Sequence, residues 1–423
     1  MKKIIIGVII VLALFAFTNK GMEYWIKSNF QANINSNPNR AYNITYSNFS
    51  LNHFYDGITL DKVSIEPLYH KEGNLIKGHV DHAKISGLRL KDLLFHKSLF
   101  IDEVTFKQPK FEITLSTDTI KKTSGEGIQS MFGDILSRAK ISNFNIKNGS
   151  VVLIDPISKM VKGHIKKLNL MARHLETDSL KFKNLIPFQM RNLEITLDSI
   201  RLELNDYKHV GLSRFQYNLK EKKIVLNDIT LGYSTDWIEV SKRLGVQKDI
   251  VELNVKEINI QQFEPSNNFY TQLDIVAPKV LVDELNITLR RNKNIPRPPD
   301  TAKSSFQGII NSIPIEILID SLQISNSSLT YGELGIKKYK SGSIKIETIN
   351  GNINGITNMT KQQSDIGKIN TNIKASLLGN SPINISLDIP KDFAASFIFF
   401  ANCSASNSLS PWDFDTVKSN KIR

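Results

Sequence analysis

One interruption recurs in the alternating patterns of this chain. In the segment ILIDSLQISNSSLTY (317–331), apolar residues alternate with polar ones, shift by one position across a polar pair, and then alternate again. Eight segments have this arrangement, written apolar-x-apolar-x-x-apolar-x-apolar, and their first apolar pairs are Ile58 and Leu60, Leu99 and Ile101, Ala139 and Ile141, Ile195 and Leu197, Ile224 and Leu226, Leu253 and Val255, Val280 and Val282, and Ile317 and Ile319. Period-two alternation places one set of side chains on one face of a strand. The pattern therefore predicts a mainly β protein.

The polar pair in each shift explains how the alternation could continue. A shift of one residue would move the remaining apolar side chains to the opposite face of the sheet. An extra residue held in a β-bulge would restore the phase and bend the strand, and the Asp and Asn residues common in these pairs favour bulges and turns. Two architectures fit: one elongated antiparallel sheet, curled about a common line with its apolar side inward, or the strand corners of an ordinary β-sandwich.

The N-terminus has the pattern of a membrane segment. Two lysines precede an apolar run from Ile4 to Thr18, and Tyr24 and Trp25 follow it. The run is shorter than the roughly 20 residues of a spanning helix, but Tyr24 and Trp25 suit an interfacial belt at the end of a longer one. No small-residue cleavage site is evident. We expect an uncleaved, single-pass signal anchor over residues 1–26, with the N-terminus in the cytoplasm, and a cleaved signal is the alternative.

A larger repeat organises the rest of the chain. The segments 108–153 and 277–331 each contain a strand, a polar stretch, a short amphipathic helical pattern and a strand pair. Capping helices are predicted near 128–137 and 306–313, and a third near 235–244, stopped by Gly245. We expect a first β-rich unit over 27–160, a second continuous one over 161–390, and an unpatterned tail over 391–423.

Charge and motifs limit the chemistry. The net charge is +13, which suits solvated strand faces, anionic lipid headgroups or an acidic polymer. No aromatic-basic pattern indicates nucleic acid. The basic segment 290–303 is either a headgroup-binding loop or a plain linker. No nucleotide, nucleophile-elbow or metalloprotease motif occurs. Cys403 is the only cysteine, and His79 and His82 should lie on opposite faces of a strand. We predict no enzyme activity, no catalytic residue, no metal and no cofactor.

Three segments carry a resemblance to a family. ISGLRLKDLLFHKSLFIDEVTFKQPKFEI (85–113) resembles a recurrent segment of the AsmA-like family of bacterial envelope proteins. NRAYNITYSNFSLNHFYDGITLDKVSIEP (39–67) is similar to the family's segment after the anchor, and GNSPINISLDIP (379–390) to a late strand. The resemblance spans most of residues 1–390. It implies an inner-membrane anchor and a periplasmic sheet folded into a hydrophobic groove, similar to chorein-type bridge-like lipid transfer proteins.

The expected function follows from that resemblance. It implies a protein that holds or conducts phospholipid along an apolar groove for outer-membrane biogenesis, with phospholipid, the inner membrane and other envelope proteins as partners. The residues predicted to line the groove are Ile58, Leu60, Leu99, Ile101, Ile195, Leu197, Leu253, Val255, Ile317 and Ile319. The alternative is a structural or outer-membrane-protein assembly factor that pairs with a client strand at a sheet edge.

Overall fold

A computed structural model describes the protein over most of its β-rich length. The described residues are 20–21, 23–30, 32, 35, 42–52, 56–68, 75–89, 92, 99–115, 139–175, 191–263, 274–299, 310–311, 313, 315–336, 341–359, 367–390 and 400–402. At 99, 139–140, 390 and 400–402 only the backbone is described.

The described strands form one mixed sheet of 18 strands, which agrees with the mainly β prediction and differs from the two sheets of a sandwich. The strands are β1 Tyr42–Thr45, β2 Asn48–Leu51, β3 Gly57–Pro67, β4 Leu75–Ser86, β5 Leu99–Lys107, β6 Lys110–Thr114, β7 Ala139–Ile154, β8 Val161–Arg173, β9 Asn192–Glu203, β10 Lys208–Asn218, β11 Lys223–Tyr233, β12 Ile250–Gln261, β13 Asp274–Asn292, β14 Glu316–Leu334, β15 Ser341–Thr357, β16 Lys368–Leu377, β17 Ser381–Pro390 and β18 Phe400–Asn402.

The strand order follows the chain. Both β1 and β2 pair with β3, which pairs with β4, and β4 pairs with both β5 and β6. Both of these pair with β7, and from β7 to β18 each strand pairs with the next. Only the pairs β5–β7, β6–β7 and β13–β14 are parallel among the described strands.

The prediction of a purely antiparallel sheet is therefore wrong at these pairs. Each parallel step follows one of the two polar segments of the larger repeat, 115–138 and 293–315. A parallel neighbour needs a crossover of a dozen or more residues to bring the chain back to the starting end of the sheet. Both segments exceed that length, so the repeat seen in the sequence marks the two places where the sheet changes from antiparallel to parallel.

Half of the predicted alternation shifts occur at residues with left-handed backbone. At four of the eight predicted shifts the second residue of the polar pair has positive φ: Lys62 (50°), Ser199 (54°), Asp228 (51°) and Glu284 (51°). Elsewhere in the sheet, Gln108, Asn148, Lys167, Asn326 and Thr348 share this conformation. At the shifts in β5, β7, β12 and the first half of β14, the polar pair has no left-handed residue.

These left-handed positions line up across the sheet, as the registers place Glu284 level with Asn326 and Gln108 level with Asn148. The pairs Leu212–Ile229 and Arg214–Asn227 place Asp228 opposite Ser213 with equal numbers of residues on both strands. The predicted extra bulge residue is thus absent there, because neighbouring strands shift at the same level. Register shifts occur only at the β7–β8, β8–β9, β14–β15 and β15–β16 pairs of the described ladder.

The shift keeps both apolar runs of a strand on one face. In β3, Ile58 and Leu60 before the shift and Val63 and Ile65 after it are all buried in one cluster, whereas Lys62 is exposed. A regular strand would have turned the second pair to the opposite face.

Helices lie at the ends of the strands. The helix predicted near 235–244 is confirmed at Trp237–Leu244, where the Asp236 carboxylate accepts the Ile238 N–H (2.8 Å) and Gly245 ends the helix at φ 70°. For the helix predicted near 306–313, residues 310 and 311 are helical and Ile310 is buried against Ile317 and Ile369. The helix predicted near 128–137 lies outside the described residues.

The N-terminal helical residues pack against the first strands. Ile26 and Phe30 are fully buried, and the ring centroids of Phe30 and Phe49 are 6.0 Å apart. Tyr24 and Trp25 on the same helix are exposed. Ile4 and Thr18 of the predicted anchor lie outside the described residues. Within the described part of the chain, no helix has the length and apolar character needed to cross a bilayer.

The sheet continues across the predicted unit boundary. Residue 160 lies in the turn between β7 and β8, which pair with each other along their lengths. The segment predicted as an unpatterned tail contributes the short strand β18, which pairs with Asn384–Ser386 of β17.

A substitution at Lys62 tests the left-handed shift. We expect Lys62→Val to lower the free energy of unfolding by about 1–2 kcal/mol, because a β-branched side chain is strongly disfavoured at positive φ. Lys62→Gly should cost little. Lys77→Val, at an exposed site of β4 with ordinary φ, is the control and should change stability by less than about 0.5 kcal/mol. Equal denaturant midpoints for the two valine variants would contradict a strained backbone at Lys62.

Candidate functional site

An unbroken apolar row crosses most of the sheet on one face. Its members are direct neighbours across each strand pair, from Leu60 in β3 to Ile353 in β15. This first apolar row consists of Leu60, Ala83, Phe106, Ile146, Leu170, Ile195, Tyr217, Ile224, Ile260, Val280, Leu322 and Ile353. Its eleven steps of about 4.8 Å make it about 50 Å long.

Two further rows run beside it on the same face. The second apolar row, on the other side of the shift, consists of Ile65, Gly78, Phe111, Val151, Ile165, Ile200, Leu212, Ile229, Val255 and Leu285. The third, of Leu197, Phe215, Leu226, Ile258, Val282 and Ile324, lies between them from β9 to β14. Together the rows make a continuous apolar band perpendicular to the strands, which we call the inward band.

The inward band changes in burial along the sheet. In β3 and β4 its residues are buried, in the cluster that the N-terminal helical residues cover. From β8 to β14 most members of the second and third rows are only half-buried; these are Ile165, Leu197, Ile200, Leu212, Phe215, Leu226, Ile229, Ile258, Leu285 and Ile324. A well-packed core would bury such residues fully, so this part of the band keeps accessible apolar surface.

The predicted groove residues fall on this face. Ile58, Leu60 and Ile101 are buried in the first cluster, and Val255 in the second. Ile195, Leu253 and Ile319 are half-buried against the second cluster, and Ile317 is buried in the third. Leu197 pairs with Phe215 in the third apolar row. The side chain of Leu99 is outside the described residues. Their role in binding stays a prediction.

The shifted spacing of β10 was missed in the sequence. In β10, Val210, Leu212, Phe215 and Tyr217 have the same shifted spacing as the eight predicted segments, with Ser213 and Arg214 as the polar pair. Phe215 and Tyr217 place aromatic rings in the third and first apolar rows. The same spacing rule, applied to tyrosine as well as to aliphatic residues and phenylalanine, would have found this strand.

The opposite face of the sheet is polar and cross-linked by hydrogen bonds. At the level of the shift, Asp283 accepts hydrogen bonds from Ser325 Oγ and Asn326 Nδ2, both at 2.8 Å, and these lower the pKa of the Asp283 carboxyl. On the adjacent strand, Lys256 forms an ion pair with Glu284, whose hydrogen bond and charge raise the pKa of that lysine. The two faces are thus chemically distinct.

The basic segment 290–303 is partly neutralised. Arg290 pairs with Glu252, Arg291 Nε donates to Asp249 Oδ1 (2.7 Å), and Lys293 pairs with Glu333, whose pKa that hydrogen bond lowers. Gln247 also donates its backbone N–H to the Pro296 carbonyl (2.9 Å). Arg290, Arg291 and Lys293 of this segment are therefore committed to carboxylates, while Lys303 lies outside the described residues.

The histidine pair lies on one face. The prediction that His79 and His82 point to opposite faces is wrong, because β4 also shifts between them: Val80 and Ala83 are buried and both histidines are exposed. His79 Nε2 lies 3.1 Å from Asp81, and His82 Nδ1 lies 2.8 Å from Asp61. Each imidazole thus has a separate carboxylate partner. In the described part of the chain, no group of three or more His, Cys, Asp or Glu side chains is placed to hold a metal.

Comparisons of the chain with protein-family models and with curated proteins found no match in either case.

Proposed function

We propose that the chain is an AsmA-like, inner-membrane-anchored periplasmic protein that holds or conducts phospholipid along the inward band. The observation that carries the proposal is the first apolar row, which runs from Leu60 to Ile353 without a charged residue. The proposed shape is an elongated sheet curled along the aligned left-handed positions, so that the inward band lines a groove. The order of the sequence segments that resemble the AsmA-like family supports the same proposal.

The dimensions of the band suit an acyl chain. The hydrocarbon core of a bilayer is about 30 Å thick, so the chains of one leaflet extend about 15 Å. The first apolar row is about three times longer, at about 4.8 Å per strand. Each methylene removed from water contributes about 0.8 kcal/mol. Because the rows continue across successive strands, an acyl chain could move along the inward band while most of its methylene groups stay buried.

This protein would hold or conduct lipid passively, through apolar contacts alone. The half-buried residues of β8–β14 offer apolar contact without specific hydrogen bonds, so they would select for acyl chains and not for a particular headgroup. The N-terminal helical residues bury their Ile26 and Phe30 in the first core cluster. They would close the groove at the β3 end, nearest the proposed anchor.

The second candidate is the assembly factor that pairs with a client strand. It is favoured by the edge of β17, where β18 pairs with only Asn384–Ser386 in the described residues. Edge strands with unpaired backbone groups can add a strand from another chain. This candidate requires no lipid on the inward band, which separates it from the first.

Lipid analysis of the purified chain tests the proposal. We expect phospholipid to co-purify with the full chain in detergent and to be identified by mass spectrometry after denaturation. The control is a fusion of residues 1–26 to an unrelated soluble domain, which accounts for lipid held by the proposed anchor alone. Equal lipid content in the full chain and the control fusion would reject the groove and favour the assembly factor.

A further inference from the structure

The exposed large apolar residues of the sheet lie mainly along one of its two long edges, which are the sides formed by the strand ends and their turns. Among the described residues, eleven large apolar side chains are exposed, and eight of them lie at this edge: Leu68, Ile157, Met160, Val161, Leu204, Ile336, Ile344 and Leu378. The turns β7–β8, β9–β10, β14–β15 and β16–β17 all belong to this edge. Of the other three, Tyr24 and Trp25 lie on the N-terminal helical residues, and Ile313 lies at the opposite edge.

Four of these residues form one patch, which we call the edge patch. Ile157, Met160 and Val161 belong to the β7–β8 connection and are 82%, 66% and 54% exposed, and Leu204, at 54%, follows β9. The pair Gly163–Leu202 brings the two turns side by side, because Val161 and Leu204 each lie two residues beyond it.

Hydrogen bonds within the β7–β8 turn fix the exposed position of its apolar residues. The Asp155 carboxylate accepts the backbone N–H groups of Ile157 (3.0 Å) and Ser158 (2.8 Å), and the bond from Ser158 lowers the pKa of Asp155. The Asp155 N–H donates to the Met160 carbonyl (2.9 Å), and the Lys159 N–H donates to the Asp155 carbonyl (3.0 Å). A turn closed by four such bonds cannot fold its apolar tip back onto the sheet, so Ile157 stays presented to the surroundings.

The composition of the patch favours lipid over protein. Protein interfaces are anchored by Trp, Tyr and Arg, whereas the edge patch is aliphatic. Two lysines adjoin it in the sequence: Lys159, which is exposed, and Lys162, whose Nζ lies 4.0 Å from Asp155 Oδ2. Asp155 itself is engaged by the turn, so the patch presents aliphatic tips with lysine beside them. That combination is the one by which interfacial segments contact acyl chains and anionic headgroups.

We propose that the edge patch inserts into the surface of a phospholipid bilayer. The patch adjoins the inward band, since Leu202, two residues before Leu204, pairs with Val210 on that face. The proposal deepens the proposed function and rests on it for the presence of a membrane, but it concerns a contact with the bilayer surface and not the lipid held within the groove.

A fluorescent label at the patch tests the contact. Cys403, the only cysteine of the sequence, is replaced by serine, and Ile157→Cys is labelled with an environment-sensitive dye. The full chain is reconstituted into vesicles of phosphatidylethanolamine and phosphatidylglycerol. We expect the emission to shift to shorter wavelength and to be quenched by doxyl-labelled lipid. The matched control is Ile313→Cys, at the opposite edge, where neither change is expected.

The outcomes separate the possibilities. Absence of quenching at residue 157 in folded, reconstituted protein would overturn the proposal, and so would equal quenching at 157 and 313. A shift that occurs without vesicles and grows with protein concentration would instead indicate contact between copies of the chain and would also overturn it. Lipid content, measured on the same variants in detergent before reconstitution and compared with the fusion of residues 1–26, reports on the groove. The failure of the edge contact and the failure of the proposed function therefore give different results.

Discussion

Replacing Leu226 by aspartate is expected to reduce the phospholipid that co-purifies with the chain several-fold. Leu226 lies in the third apolar row between Phe215 and Ile258, all three half-buried. A carboxylate at this point places a charge in the proposed path of an acyl chain. Burying an unpaired charge costs several kcal/mol unless the group becomes neutral. The measurement is the molar ratio of lipid to protein by mass spectrometry.

The neighbouring residue supplies the control. Val225 precedes Leu226 in β11 and points to the opposite face, where it lies between Gln216 and Asn259. Val225→Asp should keep normal lipid content, because its new charge is on the polar side of the sheet. If Leu226→Asp disturbs the fold, Leu226→Asn places a smaller polar penalty at the same position. Folded Leu226 variants with the lipid content of Val225→Asp would show that the third apolar row does not hold lipid.

Replacing Phe30 by alanine is expected to destabilise the β3 end of the sheet by about 3–5 kcal/mol, the range for truncating a buried phenylalanine. Phe30 is 2% exposed, and its ring lies against that of Phe49 in the first core cluster. The loss combines the hydrophobic contribution of the ring with the cavity that it leaves. Amide hydrogen exchange should show reduced protection in β1–β4, while β10–β14 should change little, because their cores are separate clusters.

The control lies on the same helical residues. Lys27 is exposed, so Lys27→Ala should leave the exchange rates of β1–β4 within experimental error. Uniform protection in Phe30→Ala and in the unmodified chain would contradict the role of the helical residues as a cover for this end of the sheet. A loss of protection across all strands would instead mean that the sheet unfolds as one cooperative unit.

Much of the fold could be predicted because its signals are local. The shifted spacing identified strands at Ile58–Leu60, Ile224–Leu226 and Ile317–Ile319, and the structure has strands at each. Gly245 marked the end of the helix Trp237–Leu244, since a left-handed residue is needed there. Two failures were also local: in β4 Gly78 hid the shifted spacing around His79 and His82, and in β10 the spacing ends on a tyrosine. The parallel pairs were missed because they depend on pairing between distant segments.

The candidate site could be predicted only in part, for the same reason. Alternation showed that Leu60 and Ile195 are apolar members of strands, but not that they belong to one row. That row depends on the register of each intervening strand pair. A one-residue change in any of these registers would have broken the row and turned a strand's apolar side chains outward.

The sequence by itself determined which segments are strands, where their alternation shifts and which side chains of each strand are apolar, because these properties depend on residues a few positions apart. Only the tertiary structure decided that the left-handed positions from Lys62 to Thr348 meet at one level, and that two steps of the sheet are parallel. Pairing joins residues that are distant in the chain. Its register is selected by the burial of both strands together, and no single segment contains that information.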